Sequence, residues 1–234
     1  MPNRSSVPAG RPSTRRAAPS VDVVLLTPHG RRLSVLLERV EGGKQKERWA
    51  LPWEAMRAGE TIEESAARLA RTSLGAPPSL VEQIAAYGDG RRHPSGAPLS
   101  VAFLALVASG APSPVGGSAA WFPIDEMPPI APRQKAIVEG ALHAVRARLE
   151  QAPIAFRFLP ATFTLSELQE IYEILLGRRL HKASFRRALQ AAWLVEPTDE
   201  WRSEGRGRPA QLFRYAPRKR RSSRRGVRFE GVEM

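Results

Sequence analysis

Glu54-Ala55-Met56-Arg57-Ala58-Gly59-Glu60-Thr61-Ile62-Glu63-Glu64-Ser65-Ala66-Ala67-Arg68-Leu69-Ala70-Arg71-Thr72-Ser73-Leu74-Gly75-Ala76 is the run on which the fold of this chain turns. Thr61 and Glu64 stand three residues apart, the spacing of a capping box, in which a hydroxyl and a carboxylate satisfy each other's backbone N–H groups at a helix start. Ile62, Ala66, Leu69 and Ala70 then share one face, and Gly75 can take the left-handed conformation that ends helices. The spacing predicts a helix over residues 62–74, entered from a loop that carries Glu54, Arg57 and Glu60.

Around this helix the chain alternates short apolar runs with turns. Residues 21–26 and 33–37 read as a hairpin about Pro28-His29-Gly30, and Trp49 to Pro52 is a further extended piece. Residues 81–87 and 99–107 read as strands on either side of a turn-rich segment, and Trp121-Phe122-Pro123 as a short strand. Residues 134–149 have helical spacing of Ile137, Val138, Ala141, Leu142 and Val145. The expectation is a mixed sheet with helices packed on it, occupying residues 20–150.

A second unit, residues 151–216, begins past Pro153. Thr164 and Glu167 repeat the capping-box spacing ahead of Leu165, Leu168, Ile171, Tyr172, Leu175 and Leu176, with Gly177 placed to stop the helix. A second helix follows at about 182–192, then Val195-Glu196-Pro197, a polar tip from Thr198 to Pro209 and a strand at 211–215. Helix, turn, basic helix and β-hairpin is the order of a winged helix-turn-helix, so the fold class expected is α+β. In its basic helix Lys182, Ser184, Arg186 and Arg187 face outward for base edges and phosphates, while Phe185, Ala188 and Leu189 turn to the core with Tyr172 and Trp193. Arg206 and Arg208, in Arg206-Gly207-Arg208-Pro209, suit a wing that follows a backbone or enters a minor groove.

Charge supports the same division. The formal charge is +13. Residues 1–19 hold four arginines and no acid, residues 20–150 hold 15 basic and 14 acidic side chains, and residues 151–234 hold 17 and 9. Basicity at the two ends of a near-neutral middle points to a polyanionic partner for the second unit. Residues 1–19 read as a disordered basic arm and 217–234 as a disordered basic tail. No Cys is present, which excludes disulfides and thiol chemistry. His29, His93, His143 and His181 lack metal-ligand spacing. The longest apolar run, residues 101–108, is too short to span a bilayer and no secretory leader is evident, so a cytoplasmic chain without a membrane partner is expected.

In the first unit Arg39, Trp49, Trp53, Arg57, Glu60, Arg68 and Arg92 are the candidates for holding an anionic nucleotide. Arginine forks match phosphates and an aromatic face can stack a base. Arg68 also stands four residues after Glu64, the spacing of a helix ion pair.

The loop and helix at 54–76 resemble the Nudix box. In that family the pattern is Gly, five residues, Glu, seven residues, Arg-Glu-apolar-x-Glu-Glu-x-Gly, and the helix acids hold the magnesium that activates water. Glu60, Arg68 and Gly75 keep the register. Glu54 stands at the opening Gly, and Leu69, Thr72 and Ser73 stand at the three helix acids. Hard divalent cations take oxygen ligands, mostly carboxylates, so no catalytic residue, metal or cofactor is expected. The alternative is a Nudix hydrolase with metal ligands drawn from Glu54, Glu60, Glu63 and Glu64.

Over nearly all of residues 21–215 the chain is similar to the NrtR-type transcriptional regulators, a Nudix-like domain followed by a winged helix. The similarity is carried by Trp49-Ala50-Leu51-Pro52, Trp121-Phe122-Pro123-Ile124-Asp125-Glu126, Phe163-Thr164-Leu165-Ser166-Glu167-Leu168-Gln169, Phe185-Arg186-Arg187 and Gly207-Arg208-Pro209-Ala210. It implies a Nudix-like α/β/α sandwich, a homodimer, double-stranded operator DNA as partner, and ADP-ribose or a related nucleotide as effector of a repressor tied to NAD metabolism or sugar use. A regulator without a ligand, acting constitutively or through a protein partner, is a third reading. Trp53-Glu54 in place of Gly-Gly, and Ala131-Pro132-Arg133-Gln134 without an acid or His, depart from the family.

Overall fold

The computed structural model describes residues 18–40, 49–110, 117–149, 152–203 and 209–216. The first unit is a seven-stranded mixed sheet. Its strands are β1 (Ser20–His29), β2 (Arg32–Arg39), β3 (Trp49–Ala50), β4 (Trp53–Ala55), β5 (Leu80–Tyr87), β6 (Ser100–Leu106) and β7 (Ala119–Pro123). The main order is β3-β2-β1-β6-β5, with β4 pairing β1 and β7 pairing β2. β1 and β6 run parallel, from Ser20 opposite Ser100 to Leu26 opposite Leu106, and the other pairs are antiparallel.

Because strand side chains alternate faces, β1 loads both sides of the sheet. Val21, Val23 and Leu25 pack with Leu36, Phe103 and Ala105 under α1 (Ile62–Leu74). Val24 and Leu26 pack with Val35, Leu37 and Leu104 under α2 (Pro132–Leu149). This is the expected α/β/α sandwich. In α1 the capping box forms in both directions between Thr61 and Glu64, and Gly75 closes the helix at φ 76°. α2 begins two residues earlier than its apolar spacing suggests, because Pro132 suits the first helical position, where no N–H is needed.

The second unit contains β8 (Thr162–Phe163), α3 (Leu165–Leu176), α4 (Lys182–Ala192), β9 (Val195–Arg202) and β10 (Ala210–Tyr215), with sheet order β8-β10-β9. This is the winged-helix order. The stretch read as a polar tip is narrower than expected: residues 198–202 belong to β9, an edge strand whose outer face is in water, so its polar composition does not mark a turn. The hairpin turn of the first unit also shifts, to Gly30-Arg31 between paired His29 and Arg32. Trp193 is not a core residue. It caps α4 in a left-handed conformation (φ 52°), which turns its ring outward and leaves it 49% exposed.

The two units share one cluster of buried side chains. A short 3-10 segment, Ile154–Phe158, carries fully buried Ala155 and Phe158 into the same cluster as Val145 and Leu149 of α2 and Phe163 and Leu168. Its backbone is also tied to the sheet: Ser109 N donates to Phe158 O (2.8 Å), and Ser79 Oγ donates to Arg157 O (2.6 Å). Two units that share buried area should unfold together. Urea unfolding followed by far-ultraviolet circular dichroism and by tryptophan fluorescence is expected to give coincident transitions. Phe158→Ala should lower stability by about 3–5 kcal/mol in that same single transition. Separate transitions, with Phe158→Ala moving one of them, would contradict the shared core.

Candidate ligand site and nucleic-acid interface

At the box helix, Arg68 is fully engaged by carboxylates. Its Nε and Nη2 donate to the two oxygens of Glu60 (2.8 Å each), its Nη1 donates to Glu54 Oε2 (2.8 Å), and its Nη2 also contacts Glu54 Oε1. Ser65 Oγ adds a bond to Glu60 (2.7 Å), and Arg57 reaches Glu54 at 3.4 Å. The helix pairing with Glu64 expected from spacing does not form, because Glu64 is spent on the N–H and hydroxyl of Thr61. Glu54, at the position where the box has Gly, therefore supplies a second carboxylate to the arginine. The Arg68 hydrogen bonds, then that of Ser65, hold the Glu60 carboxyl down at about 2, and the Glu60 and Glu54 hydrogen bonds push the Arg68 guanidinium up.

The positions of the three missing acids are used otherwise. Leu69 is buried in the α1 core. Thr72 Oγ1 donates back to Arg68 O (2.9 Å), and Ser73 Oγ donates to Glu38 Oε1 (2.5 Å). Among the described residues no group of three or more His, Asp or Glu is placed to hold a metal ion. The residues present do not fit a Nudix-type magnesium: two of the four carboxylates in the alternative ligand set are bound to a guanidinium and a third caps a helix.

The remaining ligand candidates fall into separate groups. Arg39 lies over Trp49 at 5.8 Å, and Trp49 meets Phe122 edge-on at 4.7 Å. Trp53 meets His93 edge-on at 5.2 Å. Arg92 lies beside the start of α2, its carbonyl accepting from Arg133 N (3.2 Å). Trp53 and Glu54 are consecutive on β4, where side chains alternate faces.

A buried polar network between β1 and α2 was not evident from the sequence. Asp22, fully buried, accepts from Gln134 Nε2 (2.9 Å) and Ser20 Oγ (2.8 Å) and pairs with His93 Nε2 (2.8 Å). Gln134 Oε1 accepts from Leu51 N (3.0 Å), and Ser20 meets Ser100 at 2.9 Å. A buried carboxylate is tolerated only when hydrogen-bonded, and this one is. The signal lay in Asp22 itself, an ionisable residue inside the apolar run 21–26.

In the second unit α4 turns Phe185 and Leu189 into the core and leaves Lys182, Arg186 and Arg187 exposed. Ser184 is half-buried beside His181, and Arg187 Nη2 reaches its hydroxyl at 3.5 Å. The edge strand of the wing is pinned to α3 by Arg202 Nη1 donating to Glu167 Oε1 (2.7 Å). Arg206 and Arg208 lie outside the described residues, as do most of the arm and the tail.

A mixed-sheet sandwich with a box-type loop and helix, joined to a winged helix with an exposed basic face, defines a class of two-part regulators. The chain belongs to the Nudix domain family, whose model matches residues 16–140, and the NrtR DNA-binding winged helix domain matches residues 155–215. A Nudix domain followed by an NrtR winged helix domain is the arrangement of the NrtR-type regulators that the chain resembles. The chain is 28% identical over 204 residues to the ADPR responsive transcriptional repressor NtrR of Acinetobacter baylyi, covering 84% of this chain and 81% of that one. It is similar to the crystal structure of Shewanella oneidensis NrtR complexed with a 27mer DNA, with TM-score 0.72, 29% identity, and coverage of 85% of this chain and 93% of that one. A MutT/nudix family protein from Enterococcus faecalis shares the fold at TM-score 0.70 and 20% identity, with coverage of 87% and 89%.

The Arg68 cluster carries a pH signature. A carboxyl held low in the folded chain contributes stability that is complete above its unfolded pKa, about 4.3, and is lost as pH falls through about 2. Arg68→Met should remove this contribution, so that melting temperatures of wild type and variant differ at neutral pH and converge as pH drops from 5 towards 2. A gap that stays constant with pH would show that Glu60 and Arg68 do not interact as described.

Proposed function

We propose that the chain is a ligand-responsive transcriptional regulator, a repressor, that binds operator DNA through its winged helix and senses ADP-ribose or a related nucleotide in its Nudix-like part. The observation that carries this reading is the outward face of α4, where Lys182, Arg186 and Arg187 stand exposed over buried Phe185 and Leu189. A helix held this way by its apolar side can lie in the major groove with its guanidinium groups free to pair with guanine edges. Similarity to a DNA-bound NrtR supports the partner, and the ADPR responsive relative supports the effector class. Residues 20–150 serve as the sensing domain and 151–216 as the DNA-binding domain of a homodimer on a two-fold operator. No helix among the described residues is long and apolar enough to cross a membrane, and operator DNA as partner supports a cytoplasmic regulator.

The Nudix-like part acts by binding and not by hydrolysis. Leu69, Thr72 and Ser73 support this, since they leave the box helix without carboxylates for a metal. Effector binding changes operator affinity only so far as the two arrangements of the winged helices bind the effector differently.

Fluorescence anisotropy with the promoter DNA upstream of the chain's own gene tests the reading. Specific binding altered by ADP-ribose, NAD or ATP is expected, and Arg186→Ala should cost about 1–3 kcal/mol and relax preference at one base pair. Unchanged binding by Arg186→Ala would remove α4 from the interface. Incubation of the chain with ADP-ribose and magnesium should leave the ligand intact. Turnover that disappears in Glu60→Gln would overturn the non-hydrolytic reading.

A further inference from the structure

A cleft of about 540 Å³ lies between the two units, on the turn joining β1 to β2, the 3-10 segment Ile124–Glu126, α2 and the end of α3. That volume falls in the range of small-ligand sites. Leu33, Ile124 and Ile174 are apolar walls, and Arg31, Arg32, Arg146, Arg178 and Arg179 outnumber Asp125, Glu170 and Glu173 around them. Arg32 forks onto Glu126 at 2.6 and 2.7 Å, and Arg179 pairs with Glu173 at 3.4 Å.

Arg31 is different in two respects. Its backbone is left-handed (φ 64°), a conformation that disfavours side chains with a Cβ, in a turn position where glycine is the usual choice. Its side chain crosses from the sheet to α3, with Nε 3.3 Å from Glu170 Oε1 and Nη2 4.0 Å from Glu173 Oε2. Arg31 is 58% and Glu170 37% exposed, so water and salt screen their pair and a competing anion displaces it readily. Glu173 is held more firmly: burial raises its pKa, but hydrogen bonds from Leu180 N and Gln169 and the charge of Arg179 bring it below the ordinary carboxylate range. Across the cleft, Arg146 is tied by its Nε to Leu175 O at 3.3 Å.

We propose that this cleft is a second ligand site, separate from the Nudix-box face, that takes a small molecule bearing adjacent phosphate groups on Arg31 and Arg146 and releases Glu170 from Arg31. The arginine forks match phosphate oxygens in charge and geometry, and the apolar walls receive the uncharged part of the ligand. Since Arg31 and Glu170 belong to different units, occupancy exchanges a direct contact between sheet and α3 for one routed through the ligand. The site therefore biases how the winged helix is held, independently of the box.

Calorimetric titration of the full chain with inorganic tripolyphosphate, at matched ionic strength and without DNA, tests the site. A binding event is expected that weakens about tenfold or more in Arg31→Gln and in Arg146→Gln, the scale of a lost charge-assisted hydrogen bond. Glu170→Gln, a conservative change at a part-exposed position, should bind several-fold tighter, because the internal competitor is gone. The double variant Arg186→Ala, Arg187→Ala should bind as wild type does. Absence of binding to wild type, an affinity that Glu170→Gln leaves unchanged or lowers, or binding lost in the Arg186/Arg187 variant but kept in Arg31→Gln would each overturn the proposal. None of these results depends on the operator or on the effector of the box face.

Discussion

The structure depends on one joint, the burial of Ile154–Phe158 against α2 and the sheet. Phe158 has no exposed surface, and its carbonyl accepts a backbone hydrogen bond from Ser109, just past the end of β6. A linker between independent domains would leave its backbone to water. Here the backbone is tied to the sheet and its side chains join a cluster that runs from Val24 on β1 to Leu194 beyond α4. The winged helix is built onto the sandwich.

That arrangement gives a physical route between the sandwich and α4, the parts proposed to take the effector and the operator. Packed cores have discrete arrangements in preference to continuous deformation, so a change in where α2 sits must be met by Phe158, Phe163 and Leu168. The ionic contacts at the same junction, Arg31 with Glu170 and Arg146 with the Leu175 carbonyl, are weaker and more exposed. The apolar joint fixes the attachment and the polar contacts tune it. On the box face, Arg68 places a fixed positive charge among Glu54 and Glu60, so the loop is ordered within the chain by its own ions.

Local signals were legible in the sequence and long-range pairings were not. Both capping boxes, Thr61 with Glu64 and Thr164 with Glu167, form as their spacing predicts, and Gly75 and Gly177 end their helices left-handed. The exposed basic side of α4 followed from Phe185 and Leu189 turning inward. What failed needed knowledge of partners distant in sequence. Arg68 chose Glu54 and Glu60 over Glu64 because the loop folds back on the helix. Asp22 meets His93 and Gln134 across 71 and 112 residues, a network that periodicity does not encode. Residues 198–202 of β9 look like part of a turn because an edge strand with one wet face is as polar as a loop, and Trp193 looks like core because its left-handed cap is a backbone choice that composition does not reveal.

Under the proposed function, an effector on the sandwich is felt by α3 and α4 through the shared joint. Hydrogen–deuterium exchange of the full chain with and without ADP-ribose tests it most directly. Altered exchange is expected at the Nudix-like face, at residues 154–158 and in α3 and α4. Altered exchange confined to residues 20–149, with α3 and α4 unchanged, would contradict it.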